Sequence, residues 1–384
     1  MSRRRTPNPN TPHVSFAAGL SLVVFVFASL FAATAWAVLP PHLQPISLAR
    51  EILAVWGPAP AVDKSSPAPP RATAKPTERQ RDKDHEFTAP RAIPVADAPT
   101  DGSVRIATLN CMWFFAADGS EDGELRDSDR PRTREMYERK SGHLIGMLPR
   151  DPPLFIGLQE VGGKISVETL TQSATKRYGR AYQGLFVQGK DTYTGQDVAA
   201  LFDTTQGWKL VGQPARHADL ERTLAKHLVV TLEKNGVRLH ICVVHLRVPK
   251  NGDNRQADQV EALLRWTAHH NSRGDNNVVI MGDMNEGGRA NSDDQNLQPL
   301  LRNGMHDSVF DITNRHIPTH GGHRALDRIL ISGALRNGSD GLALTDAGVI
   351  PHAYTRRNNS VDWMEYSDHF AVWAIFAPKS NSRP

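Results

Sequence analysis

Short apolar runs that stop abruptly at a polar residue dominate residues 103–384. Val278-Val279-Ile280-Met281 ends at Gly282-Asp283-Met284-Asn285, and Leu154-Phe155-Ile156-Gly157-Leu158 ends at Gln159-Glu160. Such β-branched and aliphatic runs, too short for helices, read as strands buried on both faces. Val104-Arg105-Ile106-Ala107-Thr108-Leu109-Asn110 alternates as a strand, and 197–202 reads as another. Residues 226–233 and 237–246 form a strand pair joined by Asn235-Gly236, a tight-hairpin signal. Residues 325–331 and 370–376 are the last strand-like runs. Helical spacing occupies 131–148, with Pro131 in its first turn, then 166–177 and 255–270, the last with Val260, Leu263, Leu264 and Trp266 on one face. This order implies an α/β domain with mixed sheets.

A polar residue recurs where these strands end: Asn110, Glu160, His245, Asp283 with Asn285, Asp327, and Asp368 with His369. Each alone is an ordinary turn former, core histidine or salt-bridge partner. Six elements doing so together point to one cleft at the strand ends. Residues two apart on a strand share a face, so Asp283 and Asn285 are expected to look into that cleft. A carboxylate at the end of a buried strand, such as Glu160, needs a partner, most naturally a cation, the alternative being a salt bridge to an arginine.

The N-terminal third reads differently. Arg3, Arg4 and Arg5 precede an uncharged stretch to Leu39, apolar from 16 to 33 and carrying Ala35-Trp36-Ala37, a small-x-small cleavage pattern. Residues 1–39 therefore read as a signal peptide or an uncleaved signal anchor, and the remainder as exported. Residues 40–102 are a Pro/Ala-rich linker, apart from a short amphipathic stretch at 46–56. Nine prolines between 57 and 102 leave no sustained periodicity.

Charge does not choose the substrate. The formal net charge is +4, but Arg3–Arg5 supply three of those charges. From 38 to 102 eight basic residues balance eight acidic ones, so residues 103–384 are near neutral. A bulk basic field for a polyanion is absent. The two cysteines, Cys111 and Cys242, both lie in strand-like runs. They read as small buried residues, or as one disulfide in an exported domain. The loop 116–130, acidic and then basic, reads as a solvated surface loop, the alternative being a loop that shapes substrate access.

No serine or cysteine nucleophile elbow and no phosphate-cradling glycine loop is present. Carboxylate and carboxamide oxygens favour a hard cation, Mg²⁺ or Mn²⁺, and suit metal-assisted hydrolysis of a phosphate ester. Thr108-Leu109-Asn110, Leu158-Gln159-Glu160-Val161, Val244-His245-Leu246, Gly282-Asp283-Met284-Asn285, Leu326-Asp327-Arg328-Ile329 and Ser367-Asp368-His369 together resemble the endonuclease/exonuclease/phosphatase (deoxyribonuclease I-like) superfamily, in the order that family shows. The resemblance implies a four-layer sandwich of two mixed β-sheets flanked by helices across 103–384. It implies Glu160 as principal metal ligand, helped by Asn110 and Asp368. Asp283 would activate water, Asn285 would hold the phosphate, and His369, bonded to Asp327, would stabilise phosphoryl charge. His245 stands where nucleases of the family carry a side chain near the scissile phosphate. The implied activity is an exported Mg²⁺-dependent phosphodiesterase, a nuclease acting on nucleic acid. The alternatives are a phosphomonoesterase or sphingomyelinase-like phospholipase C on lipid or inositol phosphates, for which Val248 replaces a common serine, and an inactive scaffold.

Overall fold

Strands and helices alternate as the apolar runs require. The order is β1 (Val104–Phe114), α1 (Arg134–Gly146), β2 (Phe155–Val161), α2 (Lys164–Tyr178), β3 (Tyr182–Phe186), β4 (Asp197–Asp203), β5 (Lys209–Leu210), α3 (Ala218–Glu221), β6 (His227–Lys234) and β7 (Val237–His245). There follow α4 (Arg255–Ser272), β8 (Val278–Asp283), α5 (Gln298–Arg302), β9 (Met305–Asp307), α6 (Ser308–Thr313), β10 (Asp327–Ser332), α7 (Gly333–Asn337), β11 (Leu342–Ile350) and β12 (Ala371–Pro378). The computed structural model describes residues 101–116, 121, 133–191, 194–250, 252–287, 295–320, 324–351 and 366–379, all within a unit spanning Thr88–Pro384. The expected signal segment, nearly all of the linker, Pro131 and most of the loop 116–130 lie outside the described residues. No helix among the described residues is long and apolar enough to cross a membrane.

The strands form two six-stranded sheets, ordered β11-β12-β1-β2-β4-β3 and β5-β6-β7-β8-β10-β9. β1 runs parallel to β2 and β7 parallel to β8, and all other pairs are antiparallel, so both sheets are mixed. Side-chain parity explains why the strands are apolar on both faces. Ile106, Phe155, Val243, Met281 and Ile329 share one core between the sheets. Leu109, Ile156 and Leu158 pack outward with Leu144 of α1 and Leu170 of α2. Cys242, Val244 and Ile280 pack outward on the other sheet against Leu263 and Trp266 of α4. The result is the four-layer sandwich, helices outside two facing sheets. A Cβ on Gly157 would lie 3.3 Å from Met281 and Val243 of the opposite sheet, which marks how closely the sheets approach there.

Several expectations are corrected by this arrangement. Cys111 and Cys242 are free and belong to the two opposite outer layers, so they form no disulfide; burial pushes both thiols up. The first helix starts at Arg134, because Thr133 in extended conformation accepts the Met136 N–H and caps it. Glu121 is buried, unlike a solvated loop residue. Its carboxylate accepts the Ser166 N–H at 2.7 Å and the Ala116 N–H at 2.9 Å. It thereby serves the N-terminus of α2, whose own cap residue, Gly163, has no side chain to do so. The hairpin reading holds: Asn235 and Gly236 take φ of 52° and 79° between β6 and β7.

Candidate active site

The site is a row across one sheet completed from the other. His245, Asp283 and Asp327 are register neighbours on β7, β8 and β10, so pairing alone sets the three side by side. Asn110 and Glu160 come from the facing sheet, Asn110 from within β1 where its register with the parallel neighbour β2 breaks, Glu160 from the C-terminal end of β2. Glu160 takes φ 58°, a left-handed conformation costly for a non-glycine residue, and the β1–β2 register breaks beyond Asn110. Met112 and Trp113 are also left-handed, at φ 48° and 51°. This kinked corner lets the Trp113 N–H donate to Glu160 Oε2 at 3.1 Å.

Asn110 joins the two sheets. Its Nδ2 donates to Glu160 Oε1 at 3.1 Å and to Asp283 Oδ2 at 3.0 Å. Its Oδ1 accepts the Met112 N–H at 2.9 Å. The amide thus presents its donor face to both carboxylates. His245 Nε2 lies 3.5 Å from Asp283 Oδ2 and 3.8 Å from Glu160 Oε1. His369, two residues before β12, holds Nδ1 at 2.8 Å from Asp327 Oδ2 and Nε2 at 3.9 Å from Asp283 Oδ2. Ser367 positions that turn: its hydroxyl donates to Asn110 O at 2.6 Å and accepts the His369 N–H at 3.0 Å.

The environment gives the two histidines opposite charge states. Burial opposes a charge on His369, but the Asp327 carboxylate overcomes it and raises the imidazole to about 10. His245 is held well below its ordinary range by burial, then by the charges of Lys226 and His369. Asp283 rises to about 6 through burial, with Asp327 and Glu160 adding to the rise and His369 opposing it. Burial would raise Asp368, yet its hydrogen bond to His320 and the charge of His369 bring it below the ordinary value.

Two expected residues stand apart. Asn285 does not share a strand face with Asp283, because β8 ends at Asp283 and Asn285 takes φ 48°. Its N–H donates to Asp283 Oδ1 at 2.8 Å and its Nδ2 to Leu246 O at 2.9 Å, so it braces the corner. Asp368 groups with His320 and His369 rather than with Glu160. His320 went unread in the sequence because Pro318-Thr319-His320 carries no periodic signal. It pairs with Asp368 Oδ2 at 3.0 Å, and its ring centroid lies 4.6 Å from that of His369. The neighbouring Thr319 hydroxyl accepts the N–H groups of Leu326 and Asp327 at 3.0 Å each.

A divalent cation fits this donor set. Glu160, His245 and Asp283 each offer a ligand atom within 4.8 Å of the others; Asp283, Asp327 and His369 are as close together, but a charged His369 has no lone pair to give. Among the described residues, the ion pairs of Glu160, Asp283, Asp327 and Asp368 are all with histidines. Asp327 Oδ1 and Asp368 Oδ1 are buried without a hydrogen-bond partner. Crowded carboxylate oxygens with spare lone pairs are the ligands a hard cation takes.

No family model and no curated protein matches the chain. Solved structures do. A humanized zebrafish (D. rerio) TDP2 carrying 14 mutations is 17% identical, covering 72% of this chain and 99% of its own, with TM-score 0.48. The human Nocturnin catalytic domain with bound sulfate is 20% identical, covering 72% and 94%, with TM-score 0.48. An endonuclease/exonuclease/phosphatase from Bacteroides vulgatus is 14% identical, covering 72% and 99%, with TM-score 0.48.

Proposed function

We propose that this chain, which has the fold of the endonuclease/exonuclease/phosphatase superfamily, is a metal-dependent phosphoric ester hydrolase, and specifically an exported Mg²⁺-dependent nuclease. The observation that carries the reading is the Asn110 amide shared between the Glu160 and Asp283 carboxylates, with the His369–Asp327 pair facing Asp283. Five sequence-distant segments meet there, and together they supply the groups that phosphate-ester hydrolysis needs.

Glu160, with the neighbouring carboxylate oxygens of its cluster, would hold the cation, and Asp368, paired with His320, stands beside it. When bound, the ion neutralises charge on a phosphate oxygen and so favours attack. Asp283, raised by burial, accepts the proton of the attacking water. His369 carries a positive charge fixed by Asp327 and presents Nε2–H to the phosphoryl oxygens. Asn285 spends one Nδ2–H on Leu246 O, which leaves a second for a phosphate oxygen. Asn110 acts by positioning both carboxylates.

A nuclease is preferred because a second, neutral imidazole, His245, approaches the same Asp283 Oδ2 as His369 does. Export through the apolar segment after Arg3–Arg5 belongs to the same proposal. The test is nicking of supercoiled plasmid with Mg²⁺ and with EDTA, beside sphingomyelin and inositol phosphate hydrolysis. Mg²⁺-dependent nicking is expected, and turnover confined to the lipid or inositol substrates would replace the nuclease reading. Absence of metal-dependent turnover on every substrate would remove the enzyme reading.

A further inference from the structure

A second group of metal-type ligands lies away from the active site. It comprises His240 on β7, His270 in the last turn of α4, and Asp275 in the loop leading to β8. One ligand atom from each lies within 4.8 Å of the others. His240 shares the parity of Cys242 and Val244, so it faces the α4 layer. His245 closes the opposite end of the same strand, five residues or roughly 16 Å along. The two sites are therefore separate.

Three details distinguish the group from ordinary packing. His240 is only 4% exposed, and its Nδ1 sits 3.0 Å from Thr231 Oγ1, its register partner on β6. With Nδ1–H donating to that hydroxyl, the lone pair is left at Nε2, which is buried without a hydrogen-bond partner. His270 Nδ1 is likewise buried and unpartnered, and the two ring centroids are 4.2 Å apart. The Asp275 carboxylate stands 3.7 Å from His240 Nε2, too far for a hydrogen bond but close enough to share an ion. Buried imidazole nitrogens normally find partners, so two bare ones side by side call for an occupant.

We propose that His240, His270 and Asp275 bind a single transition-metal ion of the Zn²⁺ class, at a structural site distinct from the active site. Two imidazoles and one carboxylate suit Zn²⁺ better than Mg²⁺. The C-terminal end of α4 adds the negative end of its dipole. Asp275 is partly exposed, which leaves an entry path and room for water as a fourth ligand. The ion would clamp the end of α4 to β7. At the other end of α4, Gln256 Nε2 donates to Met284 O at 2.9 Å, next to Asp283. The site thus steadies the helix that buttresses the active-site corner, without touching the chemistry.

The test strips the full chain with EDTA, equilibrates it with Zn²⁺ alone, removes free ion by gel filtration and counts retained zinc. The wild type, Glu160→Gln, His270→Ala and Asp275→Asn are compared, with circular dichroism to verify folding. Glu160→Gln should retain one zinc equivalent that His270→Ala and Asp275→Asn lose. Zinc should raise the Tm of Glu160→Gln by several degrees and leave that of the Glu160→Gln/His270→Ala double variant unmoved. Mg²⁺-dependent hydrolysis by Asp275→Asn should stay within about twofold of the wild type. Wild-type zinc retention by folded His270→Ala and Asp275→Asn, or loss of all zinc from Glu160→Gln, would overturn the proposal. Asp275→Asn, close in shape and partly exposed, keeps the test decisive should His270→Ala not fold.

Discussion

At the scale of single residues, the site depends on one carboxylate holding one imidazole charged. Asp327 contacts His369 at 2.8 Å and is itself buried, so its charge acts with little screening. Asp327→Asn should keep the hydrogen-bonding shape while removing the charge. We expect kcat/KM to fall about 10²–10⁴-fold, with KM changing less. His369→Ala should cost a similar factor, and the double variant little more than either single one, because the pair acts as a unit. Additive losses in steady-state kinetics would dissolve the pair. Glu160, Asp283, Asp327 and His369 were legible because a charged residue at the end of an apolar run is anomalous. Three features were not. The parity rule failed at Asn285, which leaves the strand and turns left-handed. The direction of the Asn110 amide is set by Met112 N–H, a contact no spacing reveals. His320 reaches Asp368 from a non-periodic loop.

At the scale of elements, strand ends are fixed by backbone geometry as much as by side chains. Gly282 sits one residue before Asp283 at φ 134°, and a Cβ there would lie 2.1 Å from Val244 O on β7. Neither the backbone nor the parallel partner can yield without displacing His245 and Asp283 together. Gly282→Ala should therefore cost several kcal/mol. A urea midpoint close to the wild-type value would contradict this packing. The long buried strands and α4 were readable from period and composition. β3, β5, β9 and β11 were not. β5 and β9 are only two and three residues long, while β11 is partly exposed and carries a register shift near Asp346. Short or edge strands lack the double-sided apolar run that marks the central ones.

At the scale of the whole molecule, the sequence disclosed a mixed α/β domain, but not which strands pair or that the sheets face each other, since pairing is non-local. The buried imidazoles make stability depend on pH. His227 Nδ1 lies 3.0 Å from Leu224 O and Nε2 accepts the His217 N–H at 3.1 Å, a pattern only the neutral ring can satisfy. Burial, then Arg216, lowers it to about 4. The depressed value means the unfolded chain binds the proton first. Its contribution is present above about 6.5 and is lost as pH falls toward 4, by about 2–3 kcal/mol at pH 4.5. Denaturant titrations should show a shallower acid loss for His227→Gln than for the wild type; parallel pH profiles would remove His227 as the cause.

The proposed chemistry requires Glu160 and Asp283 to share one cation-assisted site. The most direct measurement is Mg²⁺-dependent phosphodiester cleavage by Glu160→Gln, with its Tm recorded alongside. A loss of at least about 10²-fold is predicted, with the Tm unchanged or raised because a crowded, part-buried charge has been removed. Cleavage within a few-fold of the wild type would contradict the account.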